Sequence, residues 1–214
     1  MYLIKTPDLI QSLFPQFTWK KATREKVLYL TFDDGPIPEI TTWVLAQLQK
    51  YNAKATFFCV GDNIRRHPSV FNLVRDAGHS IGNHTNNHLN GWNTDTSDYL
   101  GNVDKCSEVV TSTLFRPPHG RLRPTQAMSL HQQYEIIMWD VLSGDFDPNI
   151  TPDQCLQNVL NNTRKGSIIV FHDSLKASKN LFYALPRVLE HFSARGYRFE
   201  ALQPAYVPQV LSLA

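Results

Sequence analysis

The chain's hydrophobic residues fall into short dense runs separated by longer mixed stretches. KVLYLTF (26–32), ATFFCV (55–60), HSIGNH (79–84), LFRPP (114–118), EIIMWDV (135–141), SIIVFH (167–172) and YRFEAL (197–202) read as buried strands. Between them lie helix-like stretches at 39–51, 68–78, 98–114, 151–166 and 180–196. Several of these end at glycine, as helices do, and Thr151-Pro152 places an N-cap residue before a proline at the first helical position. The two kinds of segment alternate about seven times, which predicts a parallel sheet or a (β/α) barrel. No linker, low-complexity tract or short repeat interrupts the alternation.

Composition narrows this picture. A chain of 214 residues with 42% hydrophobic content buries a substantial core, and one domain of barrel size is expected. Lys and Arg total 21 against 19 for Asp and Glu, without a dense basic run, so neither nucleic acid nor an anionic membrane is the expected partner. The 3 cysteines, Cys59, Cys106 and Cys155, are odd in number and widely spaced, and predict reduced core thiols rather than a disulfide framework. Residues 1–21 are broken by Lys5, Asp8, Gln11 and Pro15, so no secretory signal or membrane span is visible; taken alone, this predicts a cytoplasmic location. Sequons at Asn83, Asn149 and Asn161 are too common a pattern to indicate glycosylation.

The polar residues that break the pattern occupy a systematic place. Asp33-Asp34, His84 with His88, Arg116, Asp145 and His172 each follow the C-terminal end of a predicted strand, where barrels and open α/β sheets assemble their active sites. Adjacent carboxylates repel, and become tolerable if one binds a cation and the other is held by an arginine. His84 and His88, four apart, would lie on one face of a helical turn and grip one metal ion, with a carboxylate completing a triad that leaves positions open for water and substrate. Arg116, followed by two prolines that fix the backbone, can pair with a carboxylate. Asp145 beside His172 would raise the imidazole pKa and suit it to act as a general acid. GHSIG (78–82) matches a serine nucleophile elbow, and Ser80, Asp145 and His172 stand in hydrolase order. Ser80, however, sits inside an apparent strand and no glycine-rich oxyanion loop is present.

Taken together, TFDDGP (31–36), HTNNH (84–88), RPPHG (116–120), WDVLSGDF (139–146) and IIVFHD (168–173) resemble the five ordered motifs of the polysaccharide deacetylases, the NodB-like carbohydrate esterases. The resemblance runs from about Val27 to Tyr197. It divides the chain into an N-terminal extension, 1–25, expected to pack on the domain, and a catalytic domain, 26–214. It implies a distorted (β/α) barrel of about seven parallel strands. It also implies a divalent metal, usually zinc and sometimes cobalt or nickel, and removal of acetyl groups from N-acetylated sugars. Carried over, Asp34, His84 and His88 are the metal ligands and Asp33 is the general base, oriented by Arg116. His172, backed by Asp145, protonates the leaving amine, and the metal with the His119 backbone N–H stabilises the oxyanion. Two positions depart from the family pattern: His119 stands where an aromatic residue is usual, and Phe146 where tryptophan is usual. Most members are exported, whereas this chain shows no signal.

The leading expectation is a metal-dependent amidohydrolase acting on N-acetylglucosamine units of a chitin-like or peptidoglycan-like glycan. An O-acetyl esterase would use the same site, and a cytosolic relative acting on small ureides or amides is another reading. A non-catalytic glycan-binding module would need neither Asp33 nor His172. Trp92, Trp139 and Phe146 are candidate sugar platforms.

Overall fold

The computed structural model describes residues 2–203. Its centre is β1 (Val27–Asp33), buried at every position but Tyr29. β1 is flanked by β7 (Ile168–His172) and β2 (Thr56–Cys59), both parallel to it. β-branched and aromatic residues dominate these strands, as suits ribbons covered on both faces. β3 (Ser80–Asn83), β4 (Leu114–Phe115), β5 (Glu135–Ile136) and β6 (Val141–Leu142) complete a parallel order β5-β4-β3-β2-β1-β7-β6. β8 (Arg198–Phe199) pairs with the start of β1 at Val27 and Leu28. The seven strands form a curled half-barrel, the distorted barrel expected from the sequence.

Alternation along β1 sends Leu28, Leu30 and Phe32 outward. There they join the largest apolar cluster with Val44 and Leu48 of α2 (Pro38–Lys50), Leu156 and Val159 of α7 (Pro152–Asn162) and Leu185 and Leu189 of α8 (Ser178–Ser193). A second cluster packs Tyr99 and Val103 of α5 (Thr96–Ser107) and Ala127 and Leu130 of α6 (Pro124–Leu130) on Phe115 and Ile136. The opposite parity of β1 delivers Thr31 and Asp33 to the inside of the curl. Cys59, Cys106 and Cys155 are free and buried. No helix among the described residues is long and apolar enough to cross a membrane.

Three features differ from the sequence expectation. EIIMWDV is not one strand: it splits into β5 and β6, which lie at opposite edges of the sheet. The carbonyls of Ile137 and Met138, in the break, accept hydrogen bonds from the buried Arg116 guanidinium at 3.2 and 3.0 Å. The helix expected over 98–114 ends at Ser107, because Leu114 and Phe115 are claimed by β4. Short helices α1 (Asp8–Leu13), α3 (Gly61–Arg66) and α6 were not anticipated, α4 (Pro68–Asp76) being the one expected over 68–78.

The N-terminal segment lies where the curl is open. Residues 4–6 run antiparallel to β6, with Leu142 N–H donating to Ile4 O at 2.8 Å and Thr6 N–H to Asp140 O at 3.0 Å. Thr18 accepts from Met138 N–H and donates to Ile136 O. Lys5 reaches the fully buried Asp140 at 2.5 Å, where Gln11 and Ser167 also donate.

Candidate active site

The register of β1 against β7 makes Asp33 and His172 Cα partners, so two titratable side chains leave the same end of the sheet side by side. Asp33 is buried and receives Arg116 Nη1 on Oδ1 at 2.7 Å. Arg116 is itself fully buried, with further bonds from Nη1 to Thr31 Oγ1, from Nε to Ile137 O and from Nη2 to Met138 O, and its guanidinium stacks 4.2 Å over the Phe58 ring. Four of the five N–H donors of this buried cation are thus answered, which fixes its orientation. Asp33 Oδ2 receives no hydrogen bond from the described residues and faces the pocket.

Asp34 follows at a φ of 84°, and its carbonyl accepts from Asn63 Nδ2 at 2.7 Å. The left-handed turn swings its carboxylate away from Asp33 toward the histidines. The next residue must be glycine, because a Cβ at position 35 would overlap the Asp173 carboxylate. Asp173 accepts from Gly35 N–H at 3.0 Å and from Thr41 Oγ1 at 2.6 Å. Sequence reasoning gave Asp173 no part, although it stands next to His172 in the fifth motif.

His84 and His88 do meet, but not on a helical turn as their spacing suggested. Residues 84–88 form a loop in which Thr85 and His88 take φ values of 64° and 62°. Asn83 Oδ1 accepts Thr85 N–H and holds that loop. Among the described residues, four of the five non-glycine residues with positive φ are Asp34, Thr85, His88 and His119, all at this site. Strain of this kind persists only where surrounding contacts enforce it.

His84 Nδ1 lies 2.7 Å from Arg116 O, so Nδ1 carries the proton and Nε2 presents its lone pair. Burial lowers the His84 pKa to about 4, against the pull of Asp33 and Asp34, which keeps the ring neutral. Asp34 Oδ1 is 3.1 Å from His88 Nε2 and 3.8 Å from His84 Nε2, yet it is buried without a hydrogen-bond partner. Burial by itself raises the Asp34 carboxyl, but His88, His172 and His84 outweigh it and hold the group well below the usual carboxylate range. An orphaned anionic oxygen facing two imidazole nitrogens, all ligand atoms within 4.8 Å of one another, is a donor set that fits a divalent cation with open positions.

On the other side of Asp33, Asp145 takes His172 with both oxygens: Nδ1 at 2.8 Å and the backbone N–H at 2.7 Å. Asn180 Nδ2 anchors the Asp145 carbonyl. Burial lowers the His172 pKa, but Asp145, then Asp34 and Asp33, reverse this and push it up to about 9, leaving an imidazolium at neutral pH. The Phe146 ring stands edge-on to His172 at 5.1 Å, and Tyr2 packs on Phe146 at 5.1 Å while donating to Asp147 at 2.8 Å.

Pro117 and Pro118 turn the chain so that His119, at φ 60°, enters the pocket. Its N–H donates to no acceptor among the described residues, whereas Gly120 and Arg121 N–H close turns onto Pro117 and Pro118. The His119 ring meets His88 edge-on at 4.6 Å. The cavity these residues line measures about 460 Å³, and Trp139, Leu142 and Val170 complete its walls. Trp92 is 57% exposed outside that wall. Ser80 opens β3 at the end remote from the pocket, so it has no place in this constellation.

A curled parallel half-barrel with a carboxylate–histidine cluster at its C-terminal face is an architecture suited to hydrolytic chemistry. Residues 20–136 match the family model described as polysaccharide deacetylase. The chain belongs to the polysaccharide deacetylase family, the NodB-like carbohydrate esterases, and is an enzyme of that class. It is 33% identical over 192 residues to a peptidoglycan-N-acetylglucosamine deacetylase of Bacillus cereus, covering 85% of this chain and 89% of the relative. A chitooligosaccharide deacetylase of Azorhizobium caulinodans is 31% identical over 198 residues, covering 83% and 91%. The crystal structure of the Bc1960 peptidoglycan N-acetylglucosamine deacetylase, in complex with a benzamide ligand, superposes with a TM-score of 0.84 at 28% identity, over 92% of this chain and 95% of the other.

Proposed function

We propose that this enzyme hydrolyses the N-acetyl group of N-acetylglucosamine units in a glycan, with a divalent cation, zinc in the first instance, held by Asp34, His84 and His88. The reading rests on one juxtaposition. The orphaned Asp34 oxygen between two imidazoles lies beside an Arg116-bound carboxylate on one hand and an Asp145-bound imidazolium on the other. The relatives named for peptidoglycan and chitooligosaccharide deacetylation support the choice of bond.

Bound by Asp34, His84 and His88, such a cation would supply Lewis acidity to the site. Asp33 is the base: Arg116 occupies Oδ1, which leaves Oδ2 to take the proton of the water. The unpartnered His119 N–H donates to the oxygen that becomes negative as the carbonyl is attacked. His172 delivers a proton from its pocket-facing Nε2 to the departing amine, while Asp145 fixes the ring through Nδ1. Trp139 and Phe146 form the walls against which the sugar rests.

Acetate release from N-acetylchitooligosaccharides, peptidoglycan fragments and acetylxylan, with and without a chelator, tests the proposal. Release from the N-acetylated glycans that the chelator abolishes and Zn²⁺ or Co²⁺ restores is the expected result. Release that survives thorough chelation, or that occurs from acetylxylan alone, overturns it.

A further inference from the structure

The end of the barrel away from the catalytic pocket carries a groove that the reaction does not use. Asp33 and His172 stand at the C-terminal ends of β1 and β7, whereas residues 20–24 and 164–165 lie just before the starts of the same two strands. The fold lays these two segments side by side: Lys21 N–H donates to Gly166 O at 2.9 Å and Lys165 Nζ to Arg24 O at 3.2 Å. Gly166, at φ 79°, has to be glycine, since a Cβ there would overlap the Lys21 carbonyl. Lys20, Lys21, Arg24, Arg164 and Lys165 line the resulting groove of about 710 Å³, and no carboxylate does. The acids that reach these cations stand at its edges. Asp8 accepts from Lys20 and Arg164 at 2.8 and 2.6 Å, Glu135 accepts from Lys21 at 2.7 Å, and the buried Asp140, 3.9 Å from Arg164, is already bound by Lys5. Glu25, next to Arg24 in the chain, turns to Arg198 at 2.6 Å. Arg24 and Lys165 form no ion pair among the described residues, so the groove keeps an excess of positive charge.

Beside this groove stands an apolar face that nothing among the described residues covers. α1 turns Gln11 inward to Asp140, at 3.1 Å, which sends Leu9 and Leu13 to the opposite side of the helix. They are 72% and 64% exposed, and Phe14, directly after them, is 45% exposed. Asp8 and Ser12, on the flank of α1, line a second groove that shares Lys20, Lys21 and Ala22 with the basic one, so the apolar and cationic surfaces are continuous. One exposed leucine is ordinary. Three large apolar side chains in one short segment, bordered by cations, suit a surface that is oily within and anionic at its boundary. A soluble polyanion would leave the leucines in water, and an apolar protein partner would leave the cations unanswered. We propose that this face docks the enzyme peripherally on an anionic lipid surface, with Leu9, Leu13 and Phe14 entering the headgroup layer and Arg24, Arg164 and Lys165 meeting lipid phosphates. The pocket, at the other end of β1 and β7, then faces away from the lipid. No dense basic run announces this groove in the sequence, because its cations come from segments that only the fold brings together. The inference goes beyond the deacetylase reading and does not depend on it.

Co-sedimentation of the whole protein with vesicles tests the docking without any turnover. Phosphatidylcholine vesicles carrying about a third phosphatidylglycerol should bind the protein at least about tenfold more tightly than pure phosphatidylcholine, with the gap closing as salt is raised. Arg24→Gln and Lys165→Gln should each weaken binding to the anionic vesicles by about fivefold. Leu9→Ser and Leu13→Ser should each weaken it by about tenfold, the effect of withdrawing one leucine from the interface. All four side chains are exposed and outside the catalytic pocket, so an unchanged unfolding midpoint in each variant shows that the fold is intact. Equal binding to the two vesicle types, or none to either, overturns the proposal. Binding that the charge substitutions weaken and both leucine substitutions leave untouched also overturns it, and assigns the groove to soluble polyanions. A dimer in sedimentation velocity that Leu13→Ser dissociates, without vesicle binding by the wild type, overturns it in favour of a second copy of the chain.

Discussion

At the scale of single residues, the site divides its labour by giving chemically similar groups different partners. Asp33 and Asp34 are neighbours in sequence, yet one is bound by a buried guanidinium and the other faces imidazoles without a hydrogen bond. The histidines diverge in the same way. His84, buried against a carbonyl, is lowered to about 4, whereas His172, gripped by Asp145, is pushed up to about 9. An amine anion is a very poor leaving group, while an activated phenolate departs with little help. His172→Ala should therefore lower N-deacetylation by about a hundredfold to ten-thousandfold and hydrolysis of an aryl acetate far less. Equal losses in kcat/KM on the two substrates would contradict the leaving-group role. The acid form of His172 is complete below its pKa and disappears as pH rises through it, so kcat falls on the basic side. A cation on Asp34 offsets that carboxylate's pull and brings the limb of the loaded enzyme below 9. Asp145→Asn removes the principal raising influence and should shift the limb to still lower pH, which a kcat–pH profile measures.

At the scale of elements, the site depends on what holds the strand ends and the loops behind them. Asp173, one residue past β7, ties the turn after β1 to α2 through Gly35 and Thr41. Asp173→Ala leaves buried donors without an acceptor, at about 1–3 kcal/mol each, while Asp173→Asn keeps an oxygen for Gly35 N–H and should cost less. Burial pushes the Asp173 carboxyl up to about 8, above its value of about 4 in the unfolded chain. Its stabilising contribution is then full at low pH and lost as pH rises toward 8, a loss the uncharged asparagine variant escapes. Urea unfolding at pH 5 and pH 8 measures both effects; an alanine variant as stable as the asparagine one would refute the tie. Much of this framework was legible in the chain. Runs such as KVLYLTF and SIIVFH announce strands because buried parallel strands are apolar throughout, and the charged residue that ends each run stands out against it. What stayed hidden was set by distant partners. The split of EIIMWDV is imposed by Arg116, some twenty residues earlier, and the edge formed by residues 4–6 exists only because Asp140 and Leu142 offer it hydrogen bonds. The loop geometry of His84 and His88 rests on positive φ at Thr85 and His88, residue types that carry no local signal for it. Tyr2 gave no signal either, since a single aromatic residue outside a motif resembles any other surface position.

At the scale of the whole molecule, the proposed cation would join loops that the sheet keeps apart. Asp34 follows β1 and His84 follows β3, with β2 between them, so an ion held by both would tie the C-terminal face across three strands. In the unfolded chain these ligands are separated by about fifty residues and share no preformed site, so affinity for the native state becomes stability. A ligand at a hundredfold excess over its Kd adds about 2.7 kcal/mol. For a chain of this size, that raises the unfolding midpoint by about 5–10 °C. The measurement needs no substrate and separates the two aspartates. Zn²⁺ added to the metal-free protein should raise Tm in the wild type and in Asp33→Asn, whose Arg116-bound side chain lies outside the Asp34–His84–His88 cluster, though that variant should be nearly inactive. Asp34→Asn should lose the thermal shift together with activity, because amide oxygen is a weaker ligand and the orphaned anion is gone. A shift that persists in Asp34→Asn and vanishes in Asp33→Asn would exchange the roles of the two carboxylates. No shift in the wild type at any Zn²⁺ or Co²⁺ concentration would remove the cation from the mechanism and leave the cluster of Asp34, His84 and His88 as a hydrogen-bonding site alone.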